Sequence, residues 1–291
     1  MFWVLVIAGG SFTLFVMIFN RETNPVILIR RKTVLLQKEL DRSDLRSCYE
    51  KAGEGDAEKG KAKARHFLRG LSTPFQLLFR SPIVSIIAVY IATVYGCLYL
   101  LLTTITTAFK DTYNWSIESS GLAYLGLGIG FIFGQLVFGM LSDRAVIRLK
   151  AQNGDVFEPE MRLPLCIFFA LFVPVSFFWY GWSVQAKAHW IVPIIGLFPF
   201  AFGLVGMFGT LQTYIIDSYP RYAASGIAAI TVSRSLVGAL LPLAGPTMYR
   251  ALGYGWGNSL LGFITLAMLL MPIIFNRVGA SLRKSVTLDL K

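Results

Sequence analysis

The chain has 291 residues, 55% of them hydrophobic and only 15% charged, well below the roughly 25% charged of a soluble domain, which argues against a soluble enzyme or a disordered chain. Its net charge of +11 comes from 27 Lys and Arg against 16 Asp and Glu, gathered between apolar runs rather than along one face, so a nucleic-acid-binding module is excluded. Three scattered cysteines (Cys48, Cys97, Cys166) and two histidines (His66, His189) build no zinc, iron–sulfur or disulfide framework.

Charge-free stretches define the elements in chain order. Residues 1–20 precede the first charge, Arg21; 29 uncharged residues follow Arg80, 24 follow Glu118, 24 follow Arg162, 29 follow Lys187 and 26 follow Arg250. A further apolar run over about 224–248 is interrupted by Arg234 alone. About 20 apolar residues cross the hydrocarbon of a bilayer. The spacing therefore predicts seven transmembrane helices, at 1–19, 83–108, 119–141, 163–182, 191–215, 224–248 and 257–276. Lipid cannot satisfy an open strand, and the runs lack the alternation of a barrel, so the fold class is all-α integral membrane. Residues 1–20 lack the basic start and small-residue cleavage site of a signal peptide.

The connections divide by charge. Segments 20–80, 142–162, 217–223 and 277–291 hold 23 Lys and Arg, whereas 109–118, 183–190 and 249–256 hold three. That bias predicts a cytosolic basic linker (20–80), a cytosolic tail (277–291) and an outer N-terminus, with a six-helix bundle over 81–276. The sequon at Asn114-Trp115-Ser116 then falls outside, a weak glycosylation candidate close to the membrane. Within the linker, 26–47 reads as a basic surface helix and 50–64 as a solvated tether. Phe67, Leu68, Leu71, Phe75 and Leu78 return among Arg65, Arg69 and Arg80 as an interfacial segment suited to anionic lipid.

Three constellations are candidates for function. Gly139-Met140-Leu141-Ser142-Asp143-Arg144, with Arg148, closes the 119–141 span; the glycine would admit a neighbouring helix and the charges would hold inner-face carboxylates or phosphates. Arg234 sits about 20 Å along its helix from Arg221 and about 24 Å from Arg250, a costly place that requires protein or a water-filled cavity around it. It would either attract a substrate or proton-carrying carboxylate, or bridge backbone carbonyls of neighbouring helices. Pro242 and Pro246 on the same span suggest a hinge. Tyr95 and Tyr99, extended by Thr103, with Gln135 and Gln212, would line a broad cavity or simply pack. Gly130 and Gly134 read as a tight helix contact. No catalytic carboxylate pair, nucleophile–histidine set or nucleotide motif is present, so no enzyme activity is expected.

The Gly139–Arg144 block resembles the G-x-L-x-D-R loop signature of the major facilitator superfamily, with Ser142 a small departure. Longer blocks point the same way. Residues 90–101 and 121–130 resemble the helices that open the C-terminal half of fungal multidrug-efflux facilitators. Asp217–Ser225, continuing through Arg234-Ser235, resembles their tenth-to-eleventh helix junction. Glu22-Thr23-Asn24-Pro25-Val26-Ile27-Leu28 and the following basic run resemble, more loosely, the block after the sixth helix.

The resemblance covers essentially the whole chain. It implies helices six to twelve of a twelve-helix fold: the C-terminal bundle plus one preceding helix, N-terminally truncated. It further implies efflux of toxins, drugs or secondary metabolites by proton antiport, with the proton gradient in place of any cofactor. Asp143, Arg144, Arg148, Asp217 and Arg221 would form an inner latch with Gly139. The expected partners are a small lipophilic substrate, the bilayer, and either an N-terminal half-transporter or a second copy, since the chain alone would be incomplete. The plasma membrane is the expected location and the vacuolar membrane the alternative. A seven-helix receptor and an inactive or regulatory half-transporter are the competing readings.

Overall fold

The computed structural model describes residues 2–20, 25–41, 45, 72–116 and 118–285, and among these every regular element is a helix. Cys48, His66, the Glu22–Asn24 block, the tether 50–64 and Phe67, Leu68 and Leu71 lie outside the described residues. The chain forms two compact units, Met1–His66 and Phe67–Lys291.

The first unit contains α1 (Phe2–Phe19) and α2 (Pro25–Glu39). The 18 residues of α1 carry no charge and rise about 27 Å, close to the hydrocarbon thickness. Thr13 returns its hydroxyl to the Gly9 carbonyl at 2.8 Å, so its one donor is satisfied within the helix. Pro25 opens α2, where a missing N–H is tolerated, and Arg30, Arg31, Lys32 and Lys38 make it basic. This helix stops at Glu39 rather than continuing to 47.

The second unit is the bundle. Residues 72–80, assigned to the linker from the sequence, are helical; Leu77 is fully buried while Phe75 and Phe79 face outward. Helix α3 (Pro82–Tyr113) starts where Ser81 Oγ accepts the Val84 N–H at 3.4 Å, and it ends at Asn114 in the left-handed region (φ 55°), which asparagine tolerates. A 3₁₀ turn (Ser119–Tyr124) leads into α4 (Leu125–Gln152). A second (Pro159–Arg162) leads into α5 (Leu163–Ala170), followed after Leu171 by α6 (Phe172–Gln185). Helix α7 (Ile191–Ser218) and a third 3₁₀ turn (Pro220–Tyr222) precede α8 (Ala223–Met268) and α9 (Leu270–Ser285).

Helices α3 and α7 are the pillars: Ile83, Ile87, Ile91, Leu101, Ile105 and Phe109 on one, and Leu197, Phe200, Met207, Leu211 and Tyr214 on the other, are all but completely buried. α4 packs on α7, the start of α8 on α3, and α5 and α6 on α7.

Among the described residues, five helical stretches are long and apolar enough to cross a membrane. The last, Ala223–Gly279, holds two of the predicted spans. Inside it Gly253 takes φ 71° and ψ 176°, a conformation glycine adopts at little cost, and the chain turns there. The first arm (223–252) runs helically through Pro242 and Pro246; the second (254–268) leads on to α9. Among the described residues, six membrane-length helices thus follow α1. The predicted ends were short because charge marks where lipid stops, not where the helix does. α3 carries Lys110 and Asp111 within its last turn, α4 continues past Asp143 to Gln152, and α9 past 276 to Ser285.

The charge bias predicts which end faces the cytosol. A cysteine at Ser116, which is exposed, should react with an impermeant maleimide in intact cells. Ser183 would be a poor second reporter: it is buried in α6 with its hydroxyl donating to the Tyr180 carbonyl at 2.9 Å. His189, exposed beyond the helix end, replaces it. A cysteine at Gly55 should label only after permeabilisation, and the reverse pattern would invert the topology.

Candidate functional site

Arg234 lies on the first arm of α8, roughly midway along it. Its guanidinium carbon sits 4.7 Å from the centre of the Tyr95 ring on α3 and 5.3 Å from that of Phe208 on α7. The two rings meet edge to face, their centres 5.2 Å apart. A cation over an aromatic face gains about 0.5–1 kcal/mol when exposed and about 2 kcal/mol when desolvated, so for half-buried Arg234 the rings offset part of the ~2.5–3.5 kcal/mol cost of a mid-span arginine on the insertion scale. Among the described residues Arg234 has no carboxylate partner. Within the described residues the groups that flank the charge are these two aromatic faces. Phe208 had no sequence signal, being one of 23 phenylalanines, most of which serve packing.

The other predicted cavity residues separate. Tyr99 packs its ring on Gly238, where an added Cβ would fall 2.6 Å from Cδ2, and remains 44% exposed. Gln212 is half-buried on α7 and Gln135 exposed on α4; neither amide bonds to another described residue. Of that set, Tyr95 is the residue whose ring the Arg234 guanidinium covers.

At the charge-rich end, Asp217 at the foot of α7 pairs with Arg162, its Oδ2 2.5 Å from Nε. Arg162 also donates from Nη1 to Ser142 Oγ at 3.1 Å. Ser142 is therefore an acceptor that ties α4 to the start of α5. Asp143, Arg144 and Arg148 are exposed and make no ion pair among the described residues. The side chain of Arg221 lies outside the described residues. Among the described residues, nothing lies within 4 Å of a Cβ added at Gly139. Ser81 and Tyr219 join the feet of α3 and α7 through a 3.1 Å hydroxyl–hydroxyl bond.

At the charge-poor end, a cleft of about 590 Å³ opens between α3 and the first arm of α8. Thr103, Thr107 and Asp111 border it at four-residue intervals on α3; Pro242, Pro246 and Arg250 do so on α8, with Tyr249 and Tyr254 beside them. Thr103, Pro242 and Pro246 stand out in the sequence for other reasons, whereas Asp111 and Arg250 read there merely as loop charges. Asn114 is exposed at this same end, as the C-cap of α3.

Apolar helices of membrane length, braced by polar contacts at one end and holding a cation at mid-span, make this a multi-pass integral membrane protein. The chain belongs to the Major Facilitator Superfamily, whose family model matches residues 1–242. It is 46% identical over 284 residues to the MFS-type transporter penM of Penicillium rubens, covering 98% of this chain and 54% of that protein. To the MFS-type transporter atr4 of Stereocaulon alpinum it is 44% identical (97% and 50% covered), and to the MFS transporter cpaT of Aspergillus oryzae 41% (97% and 55%). The chain thus spans about half the length of the curated relatives it matches, consistent with the C-terminal half indicated by its motifs. The family and these relatives are transporters, not enzymes, and none is a receptor.

Proposed function

We propose that the chain supplies the C-terminal bundle of a secondary transporter that exports small lipophilic toxins, drugs or secondary metabolites across the plasma membrane in exchange for protons. The observation that carries the reading is Arg234 held between Tyr95 and Phe208, where α3, α7 and α8 meet. A half-buried cation flanked by aromatic faces offers a lipophilic solute both area and one strong polar contact. A second bundle, from an N-terminal segment or another copy, would complete the cavity and rock against this one. The Arg162–Asp217–Ser142 brace would keep the inner end rigid, while exposed Asp143, Arg144 and Arg148 engage the second bundle when the cavity is closed inward.

The test is expression of residues 1–291 in an efflux-deficient yeast, alone and with a separately expressed N-terminal bundle of the Penicillium rubens relative. Export of a lipophilic dye, abolished by a protonophore, is expected with the bundle and not without it. Export by 1–291 alone would establish a homodimer instead. No export in either arm, with both polypeptides in the membrane, would overturn the transport reading.

A further inference from the structure

The cleft between α3 and α8 lies at the opposite end from the Arg162–Asp217 brace, its lining starting at Thr103 and Pro242, about 12 Å along the same helices from Tyr95 and Arg234. Its two charges have opposite sign and do not satisfy each other. Arg250 donates from Nε to the Pro246 carbonyl of its own helix at 3.1 Å, which leaves both terminal nitrogens without a protein partner among the described residues. Asp111 receives only the Tyr254 hydroxyl, at 3.5 Å. Thr103 and Thr104 turn their hydroxyls back onto the Tyr99 and Leu100 carbonyls, while Thr107 stays exposed and unbonded. Pro242 and Pro246 cannot donate to the carbonyls of Gly238 and Pro242, so acceptors are freed along the α8 wall. Leu243, the proline rings and two tyrosines provide apolar surface between the charges. The volume falls within the range of sites for drug-sized ligands.

We propose that this cleft binds a zwitterionic amphiphile, its carboxylate or phosphate against Arg250, its ammonium against Asp111, and its body across Pro242, Leu243 and Pro246. A charge-assisted bond at each end makes removal of either ligand charge costly, so zwitterions are preferred over anions or cations of the same shape. The inference rests on the transport reading for its purpose, where the cleft is the point from which substrate leaves. It does not rest on that reading for binding itself. A zwitterion here has two sources, a free solute or a lipid headgroup.

The fluoroquinolone ciprofloxacin, a zwitterion at neutral pH with its own fluorescence, tests this beside its methyl ester (a cation) and its N-acetyl derivative (an anion). Titrated against the full chain in uncharged maltoside micelles, the zwitterion should bind at least about tenfold more tightly than either derivative. Arg250→Ala should abolish its advantage over the ester and Asp111→Asn its advantage over the amide, with Arg250→Lys retaining part and Lys187→Ala changing neither. Added phosphatidylcholine displacing the probe would identify the headgroup as the occupant; an unchanged affinity would identify a free solute. Equal binding of all three forms, an advantage over the ester that survives Arg250→Ala, or one over the amide that survives Asp111→Asn, overturns the proposal. Retained zwitterion binding without export in yeast would instead overturn only the transport reading.

Discussion

Replacing Arg234 with alanine is expected to lower export by tenfold or more in the two-bundle yeast assay, with the amount of protein in the membrane near normal. The expectation follows from what surrounds the guanidinium. Tyr95 and Phe208 come from two other helices, so the cation organises the junction of α3, α7 and α8. A substrate using that contact loses a charged partner worth about 1.5–3 kcal/mol, or more than a tenfold change in transition-state stabilisation. Lysine keeps the charge but replaces the planar fork with a hydrated point charge, so Arg234→Lys should recover only part of the activity. Phe208→Leu, which keeps apolar volume and removes one face, should fall between wild type and alanine. The competing account is structural: if Arg234→Ala depletes the protein from the membrane as severely as it depletes export, the arginine holds the bundle together and is not part of the transport site.

Much of this architecture was legible because lipid imposes a coarse rule. A run without charges long enough to cross the bilayer must become a helix, and each of the seven predicted runs did. Details set by contacts between runs were not legible. Leu252-Gly253-Tyr254-Gly255-Trp256-Gly257 offers three glycines for one reversal, and composition does not say that Gly253 takes the positive φ. Arg162 reads as one more cytosolic arginine until the foot of α7 brings Asp217 beside it. Arg234 was conspicuous as an isolated charge, but its partners were not, since an aromatic in an apolar helix has no spacing that separates cation binding from packing. The cleft residues escaped for a related reason. Asp111 and Arg250 are far apart in sequence and acquire meaning only when α3 and α8 run side by side.

The glycines of α4 allow the sharpest stability test, because the sequence presents them alike and the structure does not. Gly126, Gly130 and Gly134 recur every four residues and face α7, where the backbone advances by the same interval through Ile194, Phe198 and Phe202. A Cβ at 130 would lie 2.5 Å from the Phe198 carbonyl oxygen and 2.8 Å from Ala201 Cβ; one at 134 would lie 2.9 Å from the Phe202 oxygen. Carbonyl oxygens in a packed helix cannot rotate aside as a side-chain tip would, so the two helices must separate along the whole contact. Overpacking of a core costs about 1–3 kcal/mol and occasionally more, and a leucine at position 130 belongs at the upper end of that range. Gly130→Leu should therefore lower the thermal unfolding midpoint in maltoside markedly and reduce the protein recovered from membranes, with Gly130→Ala intermediate. Gly128 and Gly139, on the same helix, have nothing within 4 Å of an added Cβ. Gly128→Ala and Gly139→Ala should leave the midpoint unchanged or raise it, since alanine in a helix interior is favoured over glycine by about 0.5–1 kcal/mol. A midpoint unchanged by Gly130→Leu, or lowered equally by Gly139→Ala, would mean that α4 does not seat on α7 through these three glycines.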